Sequence, residues 1–192
     1  MAKVITIARE FGSGGREIAQ RVAEKLQIMY YDNQILDLAA EELGLDIRAV
    51  RQASREKSSG FLYAGIGGTG FQMPLPDQVF AIQSKIIRHL ALHDDCIIVN
   101  GVADYVLEDY DQVLRVFIHA PFDSRVERAK TYEDVEGDVV KYVKKQDKRR
   151  SNYYNYYTTN KWGQLKNFDL TINSDLGIEE AADIIASLYQ KL

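Results

Sequence analysis

The chain has a single cysteine, Cys96, and only 3 prolines among its 192 residues. One thiol cannot build an intramolecular disulfide framework or a cysteine-based zinc cluster. Scarce proline, with glycine held to 13 residues and a 46% hydrophobic content, excludes a disordered or fibrous class. No segment approaches the roughly 20 apolar residues needed to span a bilayer. The N-terminal "MAKVITIAREFG" is interrupted by charge and does not read as a signal peptide. A cytoplasmic location is the expectation, with no membrane partner. Positive charge is also in short supply: 24 Lys and Arg face 28 Asp and Glu, leaving a net charge of −4. That balance gives no general argument for binding nucleic acid. The histidines, His89, His93 and His119, have no convincing metal-ligand spacing.

What is present is alternation. Val4, Ile5 and Ile7 form a β-branched run, and Ile18, Val22 and Leu26 then recur at helical spacing over about 16–26. A second buried strand is expected at 28–32, followed by a helix over 33–44 that Gly44 stops. Further strands are expected at 96–101, 113–120 and 168–174, with helices after Pro121, over 136–158 and at the C-terminal end. Such alternation predicts an α/β fold, a parallel sheet with helices on both faces. One domain over 1–192 is the simplest organisation at this length. Residues 58–76 hold five glycines and two prolines, the composition of a mobile loop or insert.

Between the first strand and the first helix lies "REFGSGGREIA" (9–19). A glycine-rich turn there lets successive backbone N–H groups approach phosphate oxygens, assisted by the positive end of the helix. In a Walker A loop a lysine then spans the β- and γ-phosphates and a Ser/Thr hydroxyl holds magnesium. Here Gly15 stands at the lysine position and no such hydroxyl follows. Arg16 and Arg9 are the available substitutes for the charge. Glu17 offers a carboxylate that could reach a metal or interact with the helix N-terminus. The alternative is a tight turn without a ligand.

Positive charge is concentrated elsewhere. Residues 141–166 contain eight Lys and Arg and one acid, Asp147, and the preceding helix carries Arg125 and Arg128. A solvated helix face is the plain reading of such a run. A lid closing over a polyphosphate is the functional one, because phosphoryl transfer needs charge neutralised at the reacting group. Interleaved Tyr153, Tyr154, Tyr156, Tyr157 and Trp162 also raise single-stranded nucleic-acid binding. Packing of those rings on the protein's own core is the competing reading, and it is favoured. Asp32 and Asp104 each follow a predicted strand and could face the site; helix caps or turns are the alternative for both.

Taken in order, "ITIAREFGSGGREIA", "YYD" at 30–32, "MPLPDQVFAIQSKIIRHLA", "ADYVL", "VFIHAPFDSRVER", "DKRRSNYY" and "KWGQLKNFDLTINS" resemble the cytidylate kinase-like family, within the P-loop nucleoside monophosphate kinases. The resemblance implies a P-loop kinase-type three-layer α/β/α fold with a five-stranded parallel sheet. It implies a mobile monophosphate-binding insert over 44–76 and a lid over about 125–166. It implies transfer of the ATP γ-phosphoryl to a small acceptor, CMP-like, with Mg²⁺. Gly12, Ser13, Gly14, Gly15, Arg16 and Glu17 would hold the donor. Arg9, Arg16, Arg125, Arg128 and Arg149 would act on the phosphates, and Asp32, Asp104, Asp147 and Lys148 would meet the acceptor. The metal ligands and the choice between monomer and homodimer are left open.

The chain departs from the family at two places. Asn100-Gly101 replaces the usual Gly-Arg, and 146–153 keep only Asp147 and Ser151 of the CMP-reading pattern. A nucleotide-sensing module that binds without transferring is therefore the alternative to a kinase.

Overall fold

The computed structural model describes residues 2–55, 73–132, 135 and 137–192. Residues 56–72, about half of the insert expected over 44–76, lie outside them. Five parallel strands form one sheet: β1 (Val4–Arg9), β2 (Met29–Tyr31), β3 (Cys96–Ile98), β4 (Val113–His119) and β5 (Leu170–Asn173). Their order is β2-β3-β1-β4-β5. The helices are α1 (Gly15–Leu26), α2 (Gln34–Leu43), α3 (Ile47–Ala53), α4 (Leu75–His93), α5 (Ala103–Val106), α6 (Phe122–Ala129), α7 (Val139–Tyr157) and α8 (Ile178–Tyr189). No helix among the described residues is long and apolar enough to cross a membrane.

Alternate residues of each strand point to opposite faces, and here both faces are covered. Ile5, Ile7, Val116 and Ile118 pack with Ile18 and Val22 of α1 and Ile185 of α8. Val4, Cys96, Ile98 and Val113 pack on the other side with Ile87 of α4, Val106 of α5 and Tyr154 of α7. This double burial is why the strands read as continuous apolar runs. The exception is β2, expected as a buried strand. It is an edge strand with Met29 55% exposed, since only β3 pairs with it.

β1 lies beside β3, and the connections that follow them run in opposite directions along the sheet, from β1 to β2 and from β3 past β1 to β4. A crevice opens at the carboxyl end of a strand at such a switch point. The turn after β1 fills that place. Two smaller clusters carry the flanking parts. Ala39, Val50 and Val79 join α2, α3 and α4, and Val126, Ala129 and Val143 join α6 to α7. Phe11 of the turn packs on the second cluster, which ties α7 to the loop.

The aromatic residues of 153–162 are mostly used internally. Tyr153 and Tyr154 are buried, Tyr157 stacks on Phe80 with centroids 4.3 Å apart, and Trp162 packs edge-on against Phe117. Of the four tyrosines only Tyr156 is exposed. Packing on the protein's own core thus uses all of these rings except that of Tyr156.

Candidate functional site

The turn after β1 is built by its own backbone. Glu10 N–H donates to Ile118 O at 3.0 Å, and Ser13 Oγ donates to Glu10 O at 2.9 Å. Ser13 is fully buried, so its hydroxyl shapes the turn from inside. Gly12 and Gly14 have φ of +78° and +72°, a left-handed conformation that costs other residues steric strain. Their neighbours are also close. A Cβ on Gly12 would lie 2.5 Å from Arg125 O, and one on Gly14 would lie 2.8 Å from Ile178 Cδ1. Because α1 begins at Gly15, the N–H groups of Gly15, Arg16 and Glu17 have no acceptor within the helix. A concave backbone with free donors at a helix start fits a phosphate group.

Gly15, at the lysine position, has a structural reason to be glycine. A Cβ there would lie 2.9 Å from Arg9 Cβ, so the stem of Arg9 occupies the space a side chain would need. The charge arrives from outside the loop. Arg9 and Arg16 both reach Asp32, at 3.6 Å and 2.6 Å, and Tyr30 OH donates to the same carboxylate at 3.4 Å. Arg128 Nη1 donates to Gly12 O at 3.1 Å from α6. Arg150 Nη1 donates to Arg9 O at 2.8 Å from α7, with its guanidinium over the Phe11 ring.

Four guanidiniums thus surround the loop, with Asp32 pairing two of them. Burial, and then the charge of Arg9, pull Arg150 down to about 9, and burial lowers Arg9 as well. Positive charge held at a cost in this way is ready for an anion. No group of three metal-ligating side chains occurs among the described residues. Glu17, exposed in the first turn of α1, is a carboxylate at the helix start.

Two residues expected to touch substrate lie behind the loop instead. Arg125 is 6% exposed; its Nε lies 3.2 Å from Glu10 Oε2, and its Nη1 donates to Asp147 Oδ2 at 2.6 Å and Phe11 O at 3.0 Å. Asp147 also accepts Phe11 N–H at 2.8 Å. The pair clamps the loop's outer wall to α6 and α7. It holds the cradle and does not face into it.

A second positive site was not anticipated. Arg48, Arg51 and Arg55, on or just after α3, line a concavity of about 300 Å³ with Gln52 and with Arg149 of α7. Arg48 pairs with Asp46 and Arg51 with Asp37, both at 3.1 Å. Arg55 and Arg149 have no ion-pair partner among the described residues. The surplus of two positive charges matches a phosphate monoester, whose charge near neutral pH is about −1.5 to −2. Lys148, the other expected lid cation, is exposed.

Asp104 does not join either site. Its Oδ2 accepts from Tyr154 OH at 2.7 Å, and it borders a separate cavity of about 400 Å³ with Arg115, Lys166 and Asp169. Burial pushes its carboxyl up to about 6. A raised carboxyl favours the folded state most at acid pH, and that contribution is lost as pH rises from about 4 to 6. Asp104→Asn should therefore stabilise the fold at pH 7.5 by on the order of 1–3 kcal/mol and have little effect at pH 4. Chemical denaturation at the two pH values checks this, and equal effects at both would contradict it. At Gly101, where the family resemblance implies an arginine, a Cβ would meet nothing within 4 Å.

Residues 4–176 match the cytidylate kinase-like family. No protein of the curated set matches the sequence. A crystal structure of an uncharacterized protein from Eubacterium ventriosum ATCC 27560 is similar, at 25% identity and TM-score 0.76, with 99% of each chain covered. Shikimate kinase from Bacteroides thetaiotaomicron shares the fold at 13% identity and TM-score 0.58, over 98% of each chain. Shikimate kinase from Acinetobacter baumannii, in complex with shikimate, does so at 13% identity and TM-score 0.55, over 100% of this chain and 94% of that one.

Proposed function

Because the chain belongs to the cytidylate kinase-like family, we propose that it transfers the γ-phosphoryl group of ATP, with Mg²⁺, to a small acceptor that already carries a phosphate. A nucleoside monophosphate is the leading class. The observation that carries this reading is the placement of Arg149 and Arg150. These neighbours on α7 reach different sites, Arg149 the arginine concavity and Arg150 the glycine loop. Adjacent Cα atoms are about 3.8 Å apart, so one turn of helix serves both anion sites.

Phosphoryl transfer asks little covalent chemistry of a protein and much positioning. The loop N–H groups and Arg128 hold the donor end, while Arg51, Arg55 and Arg149 hold the acceptor's own phosphate. An acceptor oxygen then forms a bond to the γ-phosphorus as the bond to the β–γ bridging oxygen breaks, and ADP leaves with that electron pair. Bound Mg²⁺ would supply further neutralisation of the phosphates. The arginines next to the reacting group offset the charge that builds up there.

The test is ADP release across a panel of nucleoside monophosphates and other phosphorylated small molecules. With the acceptor that turns over, Arg51→Met combined with Arg149→Met should raise its KM about 10–100-fold, the loss of one charge-assisted contact or more. The KM for ATP should change less than about twofold, because only acceptor contacts are removed. Binding of ATP without turnover on any acceptor would replace this reading by the sensing one.

A further inference from the structure

We propose that Arg150, carried by α7, supplies to the donor's β- and γ-phosphates the positive charge that the loop lacks at Gly15. This inference rests on the reading of the loop as a donor site. It begins from an exclusion. The stem of Arg9 fills the space beside Gly15, so no lysine can stand there without displacing it. The surrounding cations are then sorted by their partners. Arg9 and Arg16 are held by Asp32, and Arg125 is held by Glu10 and Asp147.

Arg150 forms no ion pair with a described carboxylate, and it makes a single hydrogen bond among the described residues, to Arg9 O at 2.8 Å. Its remaining donors have no partner among the described residues, and its guanidinium lies over the Phe11 ring, 5.5 Å from the centroid. Arg128, the other cation without a carboxylate, sits at the far side of the turn, against Gly12 O and the Gly14 position. The two would grip a polyphosphate from opposite flanks. A planar fork on a separate helix differs from a loop lysine in one respect: the charge is delivered only when α7 is docked. Arg149, one residue earlier, ties the same helix to the acceptor concavity. Recognition of the donor's outer phosphates thus depends on the element that also holds the acceptor.

The experiment compares ATP, ADP and AMP by their displacement of a fluorescent ATP analogue from the native protein, Arg150→Met and Arg150→Lys, so that AMP held in the acceptor concavity is not counted, with apo melting temperatures recorded for each. The native protein should prefer ATP to AMP. Arg150→Met should cut that preference at least about tenfold while AMP affinity stays within about twofold, since AMP has no outer phosphates. Arg150→Lys should recover part of it. If a folded Arg150→Met keeps the native ratio, the proposal is overturned and the donor reading stands. If the native protein itself fails to distinguish ATP from AMP, the donor reading falls and the proposal with it. Should Arg150→Met not fold, Arg150→Gln gives the same comparison with the same two outcomes.

Discussion

Arg125→Met is expected to lower stability by about 3–5 kcal/mol, the range seen when one member of a buried ion pair is removed. The side chain is 7% exposed, and its two carboxylate partners, Glu10 and Asp147, are 23% and 17% exposed. Methionine keeps most of the volume, so the cost is electrostatic. Two carboxylates would remain partly desolvated with no cation between them, and the carbonyls of Phe11 and Ala120 would lose a donor. Urea denaturation measures the loss. A second change, Asp147→Asn on the Arg125→Met background, should return part of it, because the residues act as one unit. A loss below about 1 kcal/mol would mean that the clamp does not hold the loop.

The second large effect is at Gly12. Alanine there must adopt φ near +78° and place its Cβ 2.5 Å from Arg125 O, a backbone atom on an anchored helix. Left-handed strain of about 1–2 kcal/mol and the enforced shift of α6 together should cost about 2–4 kcal/mol. Function should suffer more than stability, since the shift moves Arg128 and the loop carbonyl it contacts. Gly101→Ala is the matched control: nothing lies within 4 Å of its Cβ, and φ is not left-handed. Thermal melts with and without ATP separate the two glycines. Equal behaviour of Gly12→Ala and Gly101→Ala would contradict the cradle's geometry.

The strands and the loop were legible in the sequence because each is encoded locally. A β-branched run doubly buried in a parallel sheet reads as an apolar stretch, and the density of glycine after Arg9 marks a tight turn before a helix. The five-stranded parallel sheet implied by the family resemblance matches the observed one. Exposure of β2 was not legible, because being at an edge depends on strand order and not on the composition of "MYY". The arginines illustrate the same limit. Arg125 and Arg128 lie three residues apart on α6, yet one is buried behind the loop and the other contacts its carbonyl. What separates them is Glu10 and Asp147, 115 and 22 residues distant in the chain.

Arg149 and Arg150 pose the problem more sharply. The basic tract announced charge, but adjacent helical residues diverge by about 100°, and only the packing of α7 assigns one to each site. The cluster of Arg48, Arg51 and Arg55 carried a signal, a basic spacing of three and four along one short helix and the turn after it. Its meaning came only when Arg149 closed the concavity. Gly15 is the reverse case. It read as the loss of a lysine, and the structure shows the space taken by Arg9.

The most direct measurement is the displacement of a fluorescent ATP analogue from the native protein by MgATP, ADP and AMP at low and high salt, which leaves AMP in the acceptor concavity uncounted. If the loop and its arginines form a polyphosphate site, affinity should rise with each phosphate, with ATP at least about tenfold tighter than AMP, and the difference should shrink as salt screens the guanidiniums. Equal affinity for ATP and AMP, or no binding of any of the three, would contradict it.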